Sequence, residues 1–480
     1  MASIANLGVG SGLELSSLLS QLGTAERQPL VALEARAKSY TTKLSAYGTL
    51  QSSVSALQTA SARLSSLSLF QGVKAASSFN TVLTASAETT AVAGSYAINV
   101  SQLAQAQSLA TTGQASASAA VGSGTMTFDF GAVATDDVVG SPTFGQQYFK
   151  SDVSRSATVT IGTNNTLEGI RDAVNAANAG VSASIVNDGS GTPHRLVLVS
   201  SQTGAASSMK ISVVGDAALG TLMNHDPLGT PTMTETLQAK NAQLTVNGLA
   251  ISSATNTVSE SMQGVTLTLA SKGDSTLTVA RDTSSVSSAI NAFVAAYNGL
   301  LSTGAKLTSY DADTQKGSAL TGDSTLRNLQ VRIRGALTSP QSGATGDFTM
   351  LSNIGVSFQK DGTLAVDATK LEAALGANMD GVAKLFAGSA TDTAGYGKQL
   401  SALALSFTAT GGALTAAADG LTTSIKRLDK QYDAMETRIE ATVARYRAQF
   451  TQLDIAMSSM NSTTSYLTAQ FDAMNANAGK

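Results

Sequence analysis

Two histidines, His194 and His225, are the only imidazole side chains in this chain of 480 residues. Neither has a second ligand at a spacing typical of a metal site, and neither sits in a pattern typical of a catalytic triad. The chain contains no cysteine, which excludes disulfides, thiolate ligands and cysteine nucleophiles. No cluster of an acid, a base and a nucleophile remains, so we predict that the protein is not an enzyme and carries no cofactor and no metal.

Two short motifs resemble ligand-binding loops without meeting their requirements. Gly8-Val9-Gly10-Ser11-Gly12 is rich in glycine, but no strand precedes it and no Lys-Ser/Thr pair follows it. We expect a flexible lead-in that ends in a helix cap at Ser11 or Gly12. Asp311-Ala312-Asp313 resembles the start of a calcium loop, but other residues hold the positions that need glycine and glutamate. We expect a turn there.

Composition excludes several classes of partner. The net charge is −3 and only 13 % of residues are charged, so the sequence lacks the basic surface that nucleic-acid binding needs. No run of about 18 apolar residues occurs, so we predict no membrane insertion. The first residues lack a basic segment followed by an apolar one, which predicts that export, if it occurs, uses an uncleaved N-terminus.

The strongest element signal lies at the C-terminal end. From Leu421 onward apolar residues recur in steps of three and four for more than seven heptads, and no proline or glycine falls between Leu421 and Ala478. Such a period keeps one face on a partner over a long distance, so it predicts a coiled coil. The seam residues are Leu421, Ile425, Leu428, Tyr432, Met435, Ile439, Val443, Tyr446, Phe450, Leu453, Met457, Met460, Thr464, Leu467, Phe471 and Met474.

The N-terminal end shows a similar pattern in two pieces, separated by Pro29. Proline fits the first turn of a helix and removes a hydrogen bond inside one, so we predict a break or a helix start at Ala25–Gln28. We expect both ends of the chain to become ordered only against neighbouring subunits, because an isolated seam leaves its apolar side in water.

The middle of the chain follows strand patterns. Val82–Ala85 and Ser95–Val100 read as strands, and Asn247-Gly248 between alternating apolar residues predicts a hairpin. The strand of Val265–Leu269 is expected to reverse through Lys272-Gly273-Asp274 into a strand with Leu277 and Val279. Between these blocks, Asn165 with Glu168 is expected to cap a short helix that carries Leu167, Ile170 and Val174 and is followed by two more strands. After Asp282 we expect helices to resume, with one apolar face: Val286, Ile290, Phe293, Val294 and Tyr297.

The predicted fold class is multi-domain α+β, with terminal α-helical coiled-coil legs, a helical inner domain and two β-rich outer domains inserted between them. The predicted limits are 1–44 for an N-terminal leg helix that is partly disordered alone, 45–74 with 284–420 for the helical inner domain, 75–115 with 236–283 for a β-rich domain, 116–235 for an inserted α+β outer domain, and 421–480 for a C-terminal coiled-coil leg.

Several blocks of sequence carry a resemblance to a known family. They occur in the family's order and cover both ends of the chain: Gly10-Ser11-Gly12-Leu13, Ala25-Glu26-Arg27-Gln28-Pro29-Leu30, Gln102-Leu103-Ala104-Gln105-Ala106-Gln107, Gly264-Val265-Thr266-Leu267-Thr268-Leu269, Phe293-Val294-Ala295-Ala296-Tyr297-Asn298 and Gln449-Phe450-Thr451-Gln452-Leu453-Asp454. With these blocks the chain resembles the flagellar cap protein family, hook-associated protein 2. The stretch Leu167–Val199 is similar to a motif of the outer domains of flagellins.

The resemblance implies a structural role at the distal tip of the bacterial flagellar filament, in a ring-shaped homo-oligomer. It implies secretion through the flagellar type III apparatus with an export chaperone, and contact with flagellin, the filament end and the hook-associated junction proteins. The ring would promote folding and insertion of exported flagellin, and so filament growth and motility. Our hypothesis for the filament and self-assembly contacts is a set of seven apolar residues: Leu15, Leu18, Leu22, Leu453, Met457, Met460 and Leu467.

Two other roles stay open at this point. A hook–filament junction protein or a flagellin-like subunit also has helical ends around a variable insert. A tip adhesin that binds host glycans would use the outer domain, although nothing in residues 116–235 identifies a sugar site. The number of subunits in a ring cannot be obtained from the sequence, because nothing in it fixes the rotation between neighbours.

Overall fold

The computed structural model of the protein describes residues 7–8, 12–230, 232–341, 348–388 and 395–478. The chain forms two compact units. One, here called the terminal unit, contains both ends of the chain, up to Phe70 and from Thr283 onward. The other, here called the central unit, is Gln71–Asp282.

The helices and strands alternate in blocks along the chain. The helices are α1 (Leu15–Glu26), α2 (Gln28–Leu64), α3 (Leu67–Gln71), α4 (Leu167–Ala177), α5 (Ala217–Met223), α6 (Thr283–Thr308), α7 (Ser324–Thr338), α8 (Ala368–Ala387), α9 (Tyr396–Thr408) and α10 (Ala413–Ala478). The strands are β1 (Val73–Ser77), β2 (Leu83–Ala87), β3 (Gly94–Gln102), β4 (Ser108–Ala110), β5 (Gly124–Thr135), β6 (Gln147–Ile161), β7 (Val181–Asn187), β8 (His194–Ser200), β9 (Ser208–Gly215), β10 (Thr234–Leu237), β11 (Ala242–Val246), β12 (Leu249–Ser253), β13 (Thr257–Met262), β14 (Val265–Leu269), β15 (Gly273–Arg281), β16 (Tyr310–Asp311), β17 (Lys316–Gly317), β18 (Val356–Phe358) and β19 (Leu364–Val366).

The core of the terminal unit is formed by α2 and the helices from α6 onward. Apolar residues of α6 at steps of three and four form its buried face, as the sequence predicts: Val286, Ile290, Phe293, Val294 and Tyr297. Deeper in the core, the fully buried ring of Phe386 lies edge-on to Phe293 and to Tyr396, at centroid distances of 6.2 and 6.4 Å. Such edge-on pairs stabilise the core beyond the area that they bury.

Hydrogen bonding joins α2 to α7 beside this core. The Tyr47 hydroxyl donates to the Asp323 carboxylate, with 2.5 Å between the oxygens. Asp323 is the N-cap of α7, and its other oxygen accepts from the backbone N–H of Leu326 at 2.9 Å. One carboxylate therefore satisfies an N–H group of the first turn of α7 and anchors α2.

We expect Tyr47→Phe to lower the free energy of unfolding by about 1.5–3 kcal/mol near pH 7, because it deletes a hydrogen bond to a charged group. Burial, together with the neighbouring Asp323, raises the pKa of Tyr47 from 10.0 to about 12. A raised pKa in the folded state means that the contribution is complete below pH 10 and is lost as the pH rises through 12. Denaturant titrations of both proteins between pH 7 and 12 measure this difference.

The matched control is Tyr466→Phe, which removes the hydroxyl of a tyrosine that is 65 % exposed. Its stability should equal that of the wild type across the same pH range, within about 0.5 kcal/mol. A difference between Tyr47→Phe and the wild type that stays constant up to pH 12 would contradict the proposed role of the ionisable hydroxyl.

The start of the chain departs from the sequence prediction in one respect. The expected break before Pro29 is confirmed, since α1 ends at Glu26 and α2 begins at Gln28. However, α1 begins at Leu15 and its N-cap position is Glu14, without a side-chain cap. Gly12 lies in a turn before it, at φ +71°, and Ser11 lies outside the described residues. The predicted cap at Ser11 or Gly12 is therefore wrong at Gly12, because the turn places the N-cap two residues later, at Glu14.

Two sheets form one half of the central unit, and their buried residues share one core. The larger has the strand order β1-β15-β3-β11-β12 and the smaller has the order β13-β14-β2. The predicted hairpin is confirmed: β11 pairs with β12 through Asn247 and Gly248, at φ +49° and +83°. Positive φ at both turn residues matches the right-handed twist of a two-residue hairpin, which explains the Asn-Gly sequence.

The predicted reversal from β14 into β15 is wrong. β14 pairs with β13 and β2, whereas β15 pairs with β3 and β1 in the other sheet. The loop at Lys272 therefore passes from one sheet to the other. Leu267 of β14 and Leu277 of β15 are both fully buried in the core that the two sheets share. The alternation of apolar residues therefore predicts both strands correctly, although the predicted pairing between them is wrong.

The second half of the central unit is an α+β insert with its own core. Its sheets have the orders β6-β5-β9 and β10-β4-β8-β7, and α4 buries the predicted Leu167, Ile170 and Val174. The cap of α4 is Thr166, whose hydroxyl accepts from the N–H of Gly169 at 3.0 Å. The predicted cap at Asn165 is therefore wrong by one residue, because Thr166 has the extended backbone that a capping residue needs.

Two elements cross the predicted domain limits. α2 runs without interruption through residue 44, where we placed the end of the N-terminal leg. β4 pairs with β8 of the insert, although we placed residues 75–115 in the preceding β-rich domain. The predicted limits 1–44, 45–74 with 284–420, 75–115 with 236–283, 116–235 and 421–480 stay predictions.

By length and composition alone, one helical stretch within Tyr396–Asn475 is apolar enough to cross a membrane. In α9 and at the start of α10, apolar residues of this stretch are buried in the helical core: Leu400, Ala404, Phe407 and Leu414. Burial against other helices accounts for the apolar character of these four residues. Only 28 % of the apolar window is buried, so the prediction of no membrane insertion stays a prediction.

Candidate assembly surface

The first part of α10 packs against α1 and the start of α2 in the same chain. In this contact the N-terminal helices and α10 are antiparallel. The Tyr446 hydroxyl donates to the Glu26 carboxylate at 3.2 Å, and Arg27 lies 3.9 Å from Glu436. Ile439, which lies between Glu436 and Tyr446 along α10, is only 4 % exposed. Glu26 and Arg27 thus join two helices of one chain.

This contact covers part of the N-terminal pattern within the chain, while the expectation that both ends become ordered only against neighbours stays a prediction. Leu15 and Leu30 are each only 4 % exposed without any second subunit. Because α10 supplies an apolar face to α1 and α2 within the chain, the N-terminal half of the pattern is covered internally. Among the described residues, the far end of α10 and Leu18 of α1 remain exposed to meet another molecule.

Beyond this contact, α10 lacks cover from the described part of the chain. Every side chain from Ser458 to Asn475 is exposed, although the helix continues to Ala478. Three of the predicted contact residues, Leu453, Met460 and Leu467, are 42 %, 63 % and 48 % exposed. They follow one another at intervals of seven residues, so they lie on one side of the helix.

The other predicted contact residues are distributed between covered and exposed positions. Leu15 is buried, Leu22 and Met457 are half-buried, and Leu18 is 45 % exposed. The prediction missed Leu19, which is buried four residues after Leu15. Its spacing of four from Leu15 could have identified it, since residues i and i+4 share a helix face.

Phe471 and Met474 continue the exposed side of α10 and were not among the predicted contacts, although both belong to the seam. They are 60 % and 63 % exposed. We define the distal stripe as the exposed apolar seam residues of α10, namely Leu453, Met460, Leu467, Phe471 and Met474. An apolar row of this length on a helix without cover is typical of a surface that binds another protein.

Charge is distributed unevenly along α10. The segment from Lys426 to Arg447 is densely charged with both signs, whereas residues 448–479 contain only Asp454 and Asp472 and no lysine or arginine. The distal stripe is therefore apolar with a weak negative charge. Exposed ion pairs contribute little, so apolar burial is the main source of binding energy that this segment can offer.

The histidines and the Asp311-Ala312-Asp313 motif do not form part of a metal site in the described part of the chain. No group of three or more His, Asp and Glu side chains that could hold a metal is found among the described residues. His225 is buried in the central unit, where burial lowers its pKa. Asp311 accepts from the N–H of Asp313 at 3.0 Å and from the Thr314 hydroxyl at 2.8 Å, which confirms the predicted turn.

Comparison with protein families covers most of the chain. The family models described as Flagellar hook-associated protein 2 N-terminus and C-terminus match residues 11–107 and 239–462. A third, described as Flagellin hook IN motif, matches residues 150–202, which includes the stretch that resembled flagellins. The Flagellar hook-associated protein 2 of Escherichia coli K12 is 41 % identical over 404 residues, which is 82 % of each chain.

This chain belongs to the flagellar hook-associated protein 2 family.

Further relatives agree with this membership. The protein of Salmonella typhimurium is 38 % identical over 82 % of each chain, and the B-type protein of Pseudomonas aeruginosa is 34 % identical over 80 % of each. The crystal structure of the flagellar cap protein FliD D1-D2-D3 domains from Escherichia coli has a TM-score of 0.61 and 37 % identity, and covers 78 % of this chain and 99 % of that one. The predicted α+β fold and the resemblance are both confirmed.

Family membership decides between the roles that the sequence left open. The chain is a structural flagellar cap protein of the filament tip. A junction protein, a flagellin-like subunit and a glycan-binding adhesin are not favoured by any of these matches. The exposed surface of α10 carries the proposal on how copies assemble and which residues make the contacts.

Proposed function

We propose that this chain forms a ring-shaped homo-oligomer on the distal end of the filament, attached through the exposed part of α10. The observation that carries this proposal is the distal stripe, because a row of apolar side chains from Leu453 to Met474 lies open to water. Burial of apolar surface stabilises by roughly 25 cal/mol per Å², so this helix gains free energy when a neighbour covers it.

The proposed contact residues are those that the sequence indicated. Leu453, Met457, Met460 and Leu467 of α10 would meet the filament end or a sister subunit. Leu18 at 45 % exposure adds to this surface from α1, while Leu15 and Leu22 support it from beneath by packing α1 on α10. The role of the seven residues is thus to hold the surface in place as well as to contact a partner.

The role of the ring would be mechanical and not enzymatic. No bond is made or broken when a cap shelters incoming flagellin while it folds and inserts, and the described residues contain no group of three or more His, Asp and Glu side chains that could hold a metal. We propose the central unit as the part that shelters flagellin, since it carries two cores that are separate from the core of the terminal unit. The terminal unit then supplies attachment.

Further partners of the chain follow from this role. Before assembly, the exposed distal stripe would need cover, and a cytoplasmic export chaperone is the proposed partner for it. Export through the flagellar type III apparatus and contact with the hook-associated junction proteins complete the set. No nucleic acid and no cofactor has a part in this function.

Electron microscopy of the purified full-length chain tests the proposal. We expect closed rings for the wild type and loss of rings for Leu453→Ser/Met460→Ser/Leu467→Ser, because serine removes the apolar surface of the stripe and leaves other faces of the helix unchanged. The control Ile455→Ser/Tyr466→Ser changes residues that are 64 % and 65 % exposed off the seam. A wild type that remains monomeric at every concentration would overturn the proposal.

A further inference from the structure

A groove in the terminal unit lies between α6 and α7 and takes no part in the contacts described above. It has a volume of about 190 Å³, its floor includes the buried Leu300 and Ile333, and its rim carries Arg327 and Arg334. A cavity of about 150 Å³ with an apolar lining holds a benzene ring. This groove therefore has room for one aromatic side chain.

The rim of the groove is positively charged. α7 contains Arg327, Arg332 and Arg334 and no acidic residue. Arg332 lies over the ring of Phe407, 5.6 Å from its centroid, and is thus engaged elsewhere. The exposed guanidinium of Arg327 has no ion-pair partner among the residues that the structure describes. A ligand of the groove is expected to combine an apolar anchor with a negative charge beside it.

The far end of α10 has this chemistry. Phe471 is 60 % exposed and is followed directly by Asp472, and residues 448–479 contain no lysine or arginine that would oppose Arg327. Within the described residues, Asp472 has no ion-pair partner. An aromatic ring and a carboxylate thus stand side by side on an uncovered helix.

The same chain cannot supply this segment to its own groove. Leu414, at the start of α10, is buried in the core to which Ile333 also belongs. At about 1.5 Å per residue, an unbroken helix carries Phe471 roughly 86 Å from Leu414. The groove and its ligand must therefore belong to different copies.

We propose that the end of α10, with Phe471 as anchor and Asp472 beside Arg327, docks into the α6–α7 groove of a second copy of this chain. The proposal rests on the ring proposed above and names one of its contacts. Contact between one copy's groove and the next copy's helix is heterologous, and repeated contacts of that kind close into a ring when the rotation permits.

Sedimentation velocity of the full chain measures the effect on self-association. We expect Phe471→Ala to weaken it at least about tenfold, as for an aromatic side chain buried at an interface. Tyr466→Ala is the control, since this aromatic residue is 65 % exposed, against 60 % for Phe471, and lies off the seam. Arg327→Glu and Asp472→Arg should each weaken association by about two- to fivefold, and the double variant should recover it.

Disulfide trapping locates the contact directly, because the chain has no cysteine of its own. Val331 lines the groove and is 64 % exposed. A mixture of Val331→Cys and Asp472→Cys chains is expected to give an interchain disulfide. Gln470→Cys mixed with Val331→Cys should give no interchain disulfide. Gln470 lies two residues from Asp472 and therefore on the opposite side of the helix.

The outcomes separate this proposal from the one on which it rests. Rings that persist in Phe471→Ala, or an equal yield of disulfide from Asp472→Cys and Gln470→Cys, would overturn the docking and leave the ring intact. A wild type that never associates would overturn both. Weaker association of Phe471→Ala together with a disulfide that is selective for Asp472→Cys supports the groove.

Discussion

Removal of residues 455–480 is expected to abolish attachment at the filament tip and swimming motility, and to leave the central unit folded. The deletion removes most of the distal stripe, including Met460 and Leu467, but few contacts within the chain, since every side chain from Ser458 to Asn475 is exposed. Swimming in soft agar and electron microscopy of filament ends measure the loss, and thermal melting of the purified protein measures the folding.

The control for this deletion is a chain that lacks only Gly479 and Lys480, which should swim like the wild type. Unchanged motility of the longer deletion would refute the role that we propose for α10. Loss of motility together with loss of the central unit's melting transition would contradict the second half of the prediction, namely that α10 serves assembly and not the folding of the central unit.

Phe386→Ala is expected to lower the stability of the terminal unit by about 3–5 kcal/mol, the usual cost of deleting a buried aromatic ring. Phe386 is fully buried and lies edge-on to both Phe293 and Tyr396, so its removal leaves a cavity and breaks two ring contacts. Calorimetry should show an earlier transition for the terminal unit, while the transition of the central unit remains where it is.

The matched control for this variant is Phe144→Ala, in a residue that is 56 % exposed in the central unit. It should change the stability by no more than about 0.5 kcal/mol. If Phe386→Ala shifted both transitions equally, the two units would unfold as one cooperative body and the expected independence would be refuted.

Long-period patterns in the sequence predicted the helical part of the fold well. The seam from Leu421 predicted a helix to the end of the chain, and α10 indeed runs to Ala478. The spacing of apolar residues also predicted the buried face of α6, and Pro29 predicted the break before α2. These signals are local, because periodicity and proline chemistry depend only on residues a few positions apart.

Features that depend on residues distant in the sequence, or on the backbone conformation, were predicted less accurately. The alternation of β14 and β15 identified both strands, but not that each pairs in a different sheet, since pairing is decided by strands far away in sequence. The cap of α4 was misplaced from Thr166 to Asn165, because both residue types can cap and only the backbone conformation separates them.

The candidate surface was predicted in part for the same reason. Apolar spacing identified Leu15 and Leu467 equally, yet Leu15 is covered by the same chain and Leu467 is 48 % exposed. Whether a helix face is covered by its own chain or by a neighbour is a matter of tertiary structure, which heptad spacing does not encode. Arg327 and the groove beside it gave no signal, since they come together only when α6 packs on α7.

The length of α10 has a mechanical consequence. At about 1.5 Å per residue, its 66 residues extend roughly 99 Å, and only its first part is packed against other helices. The part from Ser458 to Ala478 accounts for roughly 32 Å of this length. A tilt of about 5° where this part leaves the packed helices would move its tip by roughly 3 Å, so small rearrangements at the end of the α1 contact are amplified along this part of α10.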